Sequence, residues 1–136
     1  MRISTRVRYG TRALLDIAEN CDDGPVCLKD IARRQGVSQP YLEQLILLLK
    51  AAGFVRSVRG ARGGFLLTRD PGEINMAQVV ATLGWETEVV ECVRDPDTCT
   101  RSGECGVRDF WRRVSKSVES VLVSTTLADL IHKRNC

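Results

Sequence analysis

The sequence predicts a mainly α-helical chain with a small β-hairpin, arranged as a winged helix-turn-helix plus a long C-terminal dimerisation helix. Three observations predict it. Short apolar-periodic segments break at Gly36, two β-prone runs flank a glycine-rich tract, and a helical apolar stripe runs from Val107 to Leu122. With 136 residues, 43% of them hydrophobic, the chain can bury one modest core but not two large ones.

The elements follow in order. Val7, Ala13, Leu14, Ile17 and Ala18 set a helical rhythm, and Cys21-Asp22-Asp23-Gly24-Pro25 reads as a turn. A second helix is expected from Leu28 to Gln35, with Leu28, Ile31 and Ala32 on one face. Gly36 ends it by supplying permissive backbone. Ser38 can cap a third helix, and Pro40 is tolerated in its first turn because those amides lack intrahelical acceptors. That helix carries Tyr41, Leu42, Leu45, Ile46, Leu48 and Leu49, and Gly53 closes it. Phe54–Arg59 and Phe65–Thr68 then flank Gly60-Ala61-Arg62-Gly63-Gly64 as a hairpin. After Asp70-Pro71-Gly72, Asn75 and Gln78 have capping-box spacing before Met76, Val79, Val80 and Leu83. Cys92 to Cys105 is expected to be an irregular loop. Val107, Phe110, Trp111, Val114, Val118, Val121 and Leu122 then recur at helical spacing.

The net charge of +3 conceals an asymmetry. Residues 1–69 hold twelve Lys/Arg against six Asp/Glu, whereas residues 70–136 hold eight against eleven. A basic first half points to a polyanion partner for that half. Ala32, Gly36 and Leu42 have the spacing of a helix-turn-helix, in which a small residue, a turn and a packing leucine succeed one another. Ser38, Gln39, Tyr41 and Glu43 fall on the N-terminal part of the recognition helix, where base edges of double-stranded DNA are reached. Gln39 suits a bidentate contact to adenine, and Glu43 suits cytosine N4. Arg59 and Arg62, set among glycines at the hairpin tip, suit phosphates or the minor groove.

Six cysteines are unusual in so short a chain. No apolar run reaches the roughly 18–20 residues of a membrane span, and no apolar stretch follows the N-terminal arginines as in a secretory signal. A cytoplasmic, thiol-keeping compartment is therefore expected, where clustered cysteines bind metal or do redox chemistry. Cys92, Cys99 and Cys105 are separated by six and five residues. Three soft thiolates suit an iron–sulfur cluster or zinc, and the lack of paired C-x₂₋₄-C knuckles favours the cluster. A thiol redox switch and inert cysteines stay open on spacing alone. Cys21 and Cys27 flank a turn and read as small apolar residues, and Cys136 is terminal.

In this order, the parts make the chain resemble the IscR/NsrR family of winged helix-turn-helix transcription factors, the iron–sulfur cluster regulators. The resemblance spans essentially the whole chain. It rests on Met1-Arg2-Ile3-Ser4, Arg8-Tyr9-Gly10, Gly24-Pro25-Val26, Asp30-Ile31-Ala32, Ser38–Leu45, Val58–Leu67 and the three cysteines. Tyr41-Leu42-Glu43-Gln44-Leu45 and the Arg-Gly-x-x-Gly-Gly tract are its most specific segments. The resemblance implies a homodimer whose cluster state alters which promoters it binds. It makes Cys92, Cys99 and Cys105 the cluster thiolates and Glu43 a residue that discriminates between sites. It also implies a 2Fe-2S cluster ahead of a 4Fe-4S one. The chain departs from the pattern where a histidine follows the third cysteine by three positions, because Arg108 stands there. An N-terminal acid is likewise missing from Arg6 to Arg12, and His132 is remote. The fourth ligand stays open among Glu104, Asp95, Asp97, Asp109, a cysteine and a solvent-derived oxygen.

The expected organisation is a DNA-binding domain over 1–72 and a cluster-binding loop with dimerisation helix over 73–136. The apolar stripe of the last helix suits pairing with a second copy. The leading function is a cluster-sensing regulator, a repressor of iron–sulfur biogenesis genes. A nitric oxide or redox sensor using the same cluster is the nearest alternative, followed by a metal or redox module that does not bind DNA. An enzyme is not expected, for no nucleophile–base pair presents itself.

Overall fold

A computed structural model describes residues 2–131, which run as α1 (Thr5–Glu19), α2 (Leu28–Gln35), α3 (Gln39–Ala51), β1 (Val55–Val58) and β2 (Gly64–Leu67). Then follow a 3₁₀ turn (Pro71–Glu73), α4 (Met76–Thr82), α5 (Glu91–Arg94), a second 3₁₀ turn (Pro96–Thr98), α6 (Gly106–Ser124) and α7 (Leu127–Leu130). His132 and Cys136 lie outside the described residues.

Local chemistry sets the helix ends. Ser4 Oγ accepts from the Val7 amide, so α1 begins two residues before the first buried apolar position. Gly36 ends α2 in the left-handed conformation, φ 67°, which costs a residue without Cβ little. Ser38 Oγ accepts from the Tyr41 amide at 3.3 Å, with Pro40 in the first turn of α3 as expected. Asn75 caps α4 through its side chain, which accepts from the Gln78 amide.

The amphipathic faces converge on one core. Leu14 and Ile17 of α1, Ile31 of α2, Leu42, Ile46 and Leu49 of α3, Val79 of α4 and Leu127 of α7 are all buried within it. Each such side chain contributes about 1.5–3 kcal/mol by leaving water. The core crosses residue 72 without interruption: α4, Leu83 and α7 share it with the first three helices.

Strands β1 and β2 pair antiparallel, Val55 opposite Leu67 and Val58 opposite Gly64. The hairpin is stitched to the chain before α2 by reciprocal 2.9 Å bonds between Val26 and Phe65. Gly64 permits this approach: a Cβ there would stand 2.3 Å from the Val26 carbonyl oxygen. The wing is thus held at a fixed angle to the helices.

Two elements leave no mark in the sequence pattern. The segment from Cys92 to Cys105 contains α5 and a 3₁₀ turn rather than irregular backbone throughout. After α6 the chain returns to the body through α7, whose Thr126 and Asp129 form a capping box and whose Leu127 is fully buried. The Leu127 amide donates to Ile74 O at 2.8 Å, and the Met76 amide to Thr125 O at 2.9 Å. Four-residue helices leave no periodic signal; α7 is held by its capping box and its buried Leu127, whereas α5 has no side-chain cap.

Candidate DNA interface and cysteine loop

The helix-turn-helix is locked by a buried carboxylate. Asp16 of α1 is 3% exposed and accepts from Arg34 Nη2 at 2.6 Å, Arg34 Nε at 2.9 Å and Gln35 Nε2 at 2.7 Å. The bond to Asp16 holds the Arg34 guanidinium above its ordinary pKa. Arg12 Nε in turn donates to Gln35 Oε1 at 2.8 Å. The C-terminal end of α2 is therefore pinned to α1, which fixes where the turn delivers α3.

On α3, Leu42, Leu45, Ile46 and Leu49 face inward. The opposite face presents Gln39, Pro40, Glu43 and Gln44 to solvent, with Ser38 exposed just before them. Pro40 and Gln44 join the residues expected at base edges, because the three-and-four spacing of the buried leucines places them on the same outer face. Tyr41 differs from the other sequence candidates. Its ring meets Tyr9 edge-on, centroids 6.3 Å apart at 85°, and its residue is only half exposed. Its hydroxyl is buried with no hydrogen-bond partner among the described residues. Tyr9 also lies under the Arg12 guanidinium, 5.1 Å from the ring centroid. Tyr41 is thus part of the α1–α3 junction, which its position near the helix start did not disclose.

Arg59 and Arg62 are exposed at the tip between β1 and β2, as expected, and Arg56 adds an exposed guanidinium along β1. Among the described residues none of the three has an ion-pair partner. Arg33 of α2 is engaged with Asp30 at 3.4 Å, and Lys29 lies nearby. The Asp30 carboxyl is held below its usual range, first by the Cys27 thiol and then by the neighbouring cations. One side of the molecule therefore carries an exposed polar helix face, and the hairpin tip carries free guanidinium groups. That combination suits a nucleic-acid duplex, with helix for groove and arginines for phosphate.

The cysteine loop precedes α6. Cys92 lies in α5, Cys99 follows the second 3₁₀ turn, and Cys105 is the N-cap residue of α6. All three are free thiols, Cys92 and Cys105 half-buried and Cys99 exposed. Among the described residues no three His, Cys, Asp or Glu side chains are gathered closely enough to hold a metal ion. The loop in this conformation therefore keeps the thiols apart. Asp95 and Asp97 are engaged locally, Asp95 Oδ1 accepting from the Asp97 amide at 3.1 Å, and Asp109 pairs with Arg112 at 3.6 Å. Arg108 is the loop's main tether: its Nε donates to Cys92 O at 2.9 Å. The donor set itself fits a soft-metal group, being three unpaired thiols on a segment with few competing contacts.

Fold and exposed surfaces together define a winged helix-turn-helix protein of the kind that regulates transcription. The chain belongs to the Rrf2 family, described as iron-dependent transcriptional regulators, whose model matches residues 3–133. It is 43% identical over 131 residues to the protein Rrf2 of Nitratidesulfovibrio vulgaris, covering 96% of this chain and 87% of that one. Among solved structures it is similar to CymR, the global cysteine regulator of B. subtilis, with a TM-score of 0.81 and 37% identity over 96% of this chain and 95% of that one. It is also similar to T. potens IscR, with a TM-score of 0.76 and 40% identity over 96% of this chain and 85% of that one. Among the described residues no helix is long and apolar enough to cross a membrane.

Proposed function

We propose that the chain is a homodimeric, cytoplasmic repressor of iron–sulfur biogenesis genes that senses a cluster held by Cys92, Cys99 and Cys105. A 2Fe-2S cluster is favoured over 4Fe-4S, with the fourth ligand open. The observation that carries the reading is the position of three free thiols on the segment that runs directly into α6. A bound cluster supplies a redox- and supply-dependent cross-link among those thiolates. Gathering them requires residues 92–105 to rearrange, and Cys105 passes that change to the first turn of α6.

The likeness to IscR supports the cluster, and the outer face of α6 supports the dimer. Val107 and Val121 are 60% and 63% exposed, Phe110 is 52% exposed, and Val114 lies midway between the two valines. That is a heptad seam fit for a second copy of the same helix. Beside it an apolar groove of about 440 Å³ runs between α1, α4 and α6, lined by Ile3, Val7, Met76, Trp85, Val121 and Leu122. On DNA, Gln39, Glu43 and Ser38 read base edges, Arg59 and Arg62 hold phosphates or the minor groove, and Tyr41 sets the helix against α1. The functional units are residues 1–72 for DNA and 73–136 for cluster and dimer.

Anaerobic purification tests the reading. Absorption and Mössbauer spectra of wild type should show an iron–sulfur centre that Cys92→Ala loses. Promoter fragments should bind apo and loaded protein with different affinities, because a ligand shifts an equilibrium only by its differential affinity. A colourless, iron-free protein, or equal affinities across several promoters, would refute it. The exposure of Cys99 favours a second reading, in which nitric oxide or oxidants reach the same cluster. Loss of DNA binding on nitric oxide exposure, with no response to iron supply, would select it.

A further inference from the structure

The outer face of α3 exposes a large apolar side chain near its centre. Successive helical residues turn by about 100°, so Leu42, Leu45, Ile46 and Leu49 define one buried direction. Pro40, Gln44, Leu47 and Ala51 all fall within about 30° of the opposite direction, with Glu43 about 70° to one side. Leu47 is 57% exposed there, one helical turn beyond Glu43. Single exposed leucines are common on protein surfaces. What distinguishes this one is its place. It belongs to an apolar line of Pro40, Leu47 and Ala51, bordered by the Gln44 amide and the Glu43 carboxylate, on the surface that carries the base-reading candidates.

We propose that Leu47 is a specificity-determining residue of the DNA interface and recognises the C5-methyl group of thymine. The inference rests on the DNA-binding reading of α3 and adds to it a contact that its hydrogen-bonding side chains cannot supply. The major groove is about 12 Å wide and admits a helix, and the thymine methyl is the apolar group among the base edges displayed there. A rise of 1.5 Å per residue sets Leu47 about 6 Å beyond Glu43 along the helix axis, close to two base steps of about 3.4 Å each. With α3 lying along the groove, Leu47 extends the readout past the bases that Ser38, Gln39 and Glu43 address. Taking one methyl group out of water against the leucine is worth about fourfold in affinity.

The test uses the full-length chain, purified anaerobically, and a duplex that it selects from a random-sequence library. Each thymine of that duplex is replaced in turn by uracil, which keeps every hydrogen-bonding group and lacks only the methyl. Wild type should lose about fourfold affinity at one or two thymines. Leu47→Ser should bind the thymine duplex about fourfold more weakly and be indifferent to uracil at those positions. Leu47→Met keeps the apolar bulk and should keep the sensitivity. An apolar contact releases no counterion, so the salt slope of Leu47→Ser should equal that of wild type. A side chain that merely shaped the helix would instead weaken binding to thymine and uracil duplexes alike, leaving their ratio as in wild type. If uracil costs wild type nothing, or costs Leu47→Ser as much as wild type, the proposal is overturned while the DNA reading stands. If the library yields no selected sequence, the DNA reading of α3 falls and the proposal with it.

Discussion

Arg59 and Arg62 stand at the tip of the wing with no ion-pair partner among the described residues, so their charge is available to a polyanion. Replacing either by alanine should weaken DNA binding and lower the slope of log affinity against log salt by about 0.9 for each phosphate that is no longer neutralised. A titration with unchanged slope would remove that arginine from the interface. Tyr41 makes the opposite case. Because its hydroxyl is buried and unpartnered, Tyr41→Phe should leave DNA affinity unchanged and raise stability by up to about 1–3 kcal/mol, measured by urea unfolding. A drop in affinity would mean that the hydroxyl turns outward to the duplex. Asp16→Ala removes the buried carboxylate that receives Arg34 and Gln35 and should cost about 1–3 kcal/mol, read from the same unfolding curves. The exposed positions of Ser38, Gln39, Glu43 and the wing arginines are legible along the chain because each follows a local signal. The pairing of Asp16 is not, since nothing in its neighbours along the chain announces a partner eighteen positions away.

Among the elements, the wing shows how a local motif acquires a fixed direction. Alternation and glycines suffice to foresee a hairpin, but its angle to α3 is set by the Val26–Phe65 pairing. Gly64→Ala would drive a methyl group into the Val26 carbonyl, which is backbone and cannot step aside. The expected outcome is a loss of about 1–3 kcal/mol and weaker DNA binding at any salt concentration, checked by unfolding and titration on one preparation. The short α7 titrates instead. Its capping bonds to Thr126 hold the Asp129 carboxyl below its ordinary pKa, so their stabilisation is complete above that ordinary value. It is lost as pH falls through the lowered value. The protection factor of the Asp129 amide, measured against its intrinsic exchange rate at each pH, should therefore fall in acid before those of the core amides do.

For the whole molecule, the apolar outer face of α6 is the outstanding exposed feature. Val121→Asp, at a position 63% exposed, should leave the fold of one chain intact while preventing pairing. On the proposed pairing through α6, sedimentation should report a dimer for wild type and a monomer for the variant, and DNA affinity should fall because two recognition helices no longer bind together. A dimeric Val121→Asp would move the interface elsewhere. Tied to the core through Leu127 just beyond its end and to the cysteines through Cys105, α6 is placed to pass a change in the loop to both.

The helix-turn-helix, the hairpin, the long last helix, the wing arginines and the cysteine spacing can all be read along the chain. Each is a matter of periodicity, caps or turn residues within a few positions. The rest had to wait for the folded molecule. Folding buried the Tyr41 hydroxyl against α1, paired Asp16 with Arg34, and ran one core through both halves. It also turned Arg108 onto the carbonyl of Cys92. These contacts join residues far apart along the chain, and their energies depend on a desolvated geometry that neighbouring residues cannot encode.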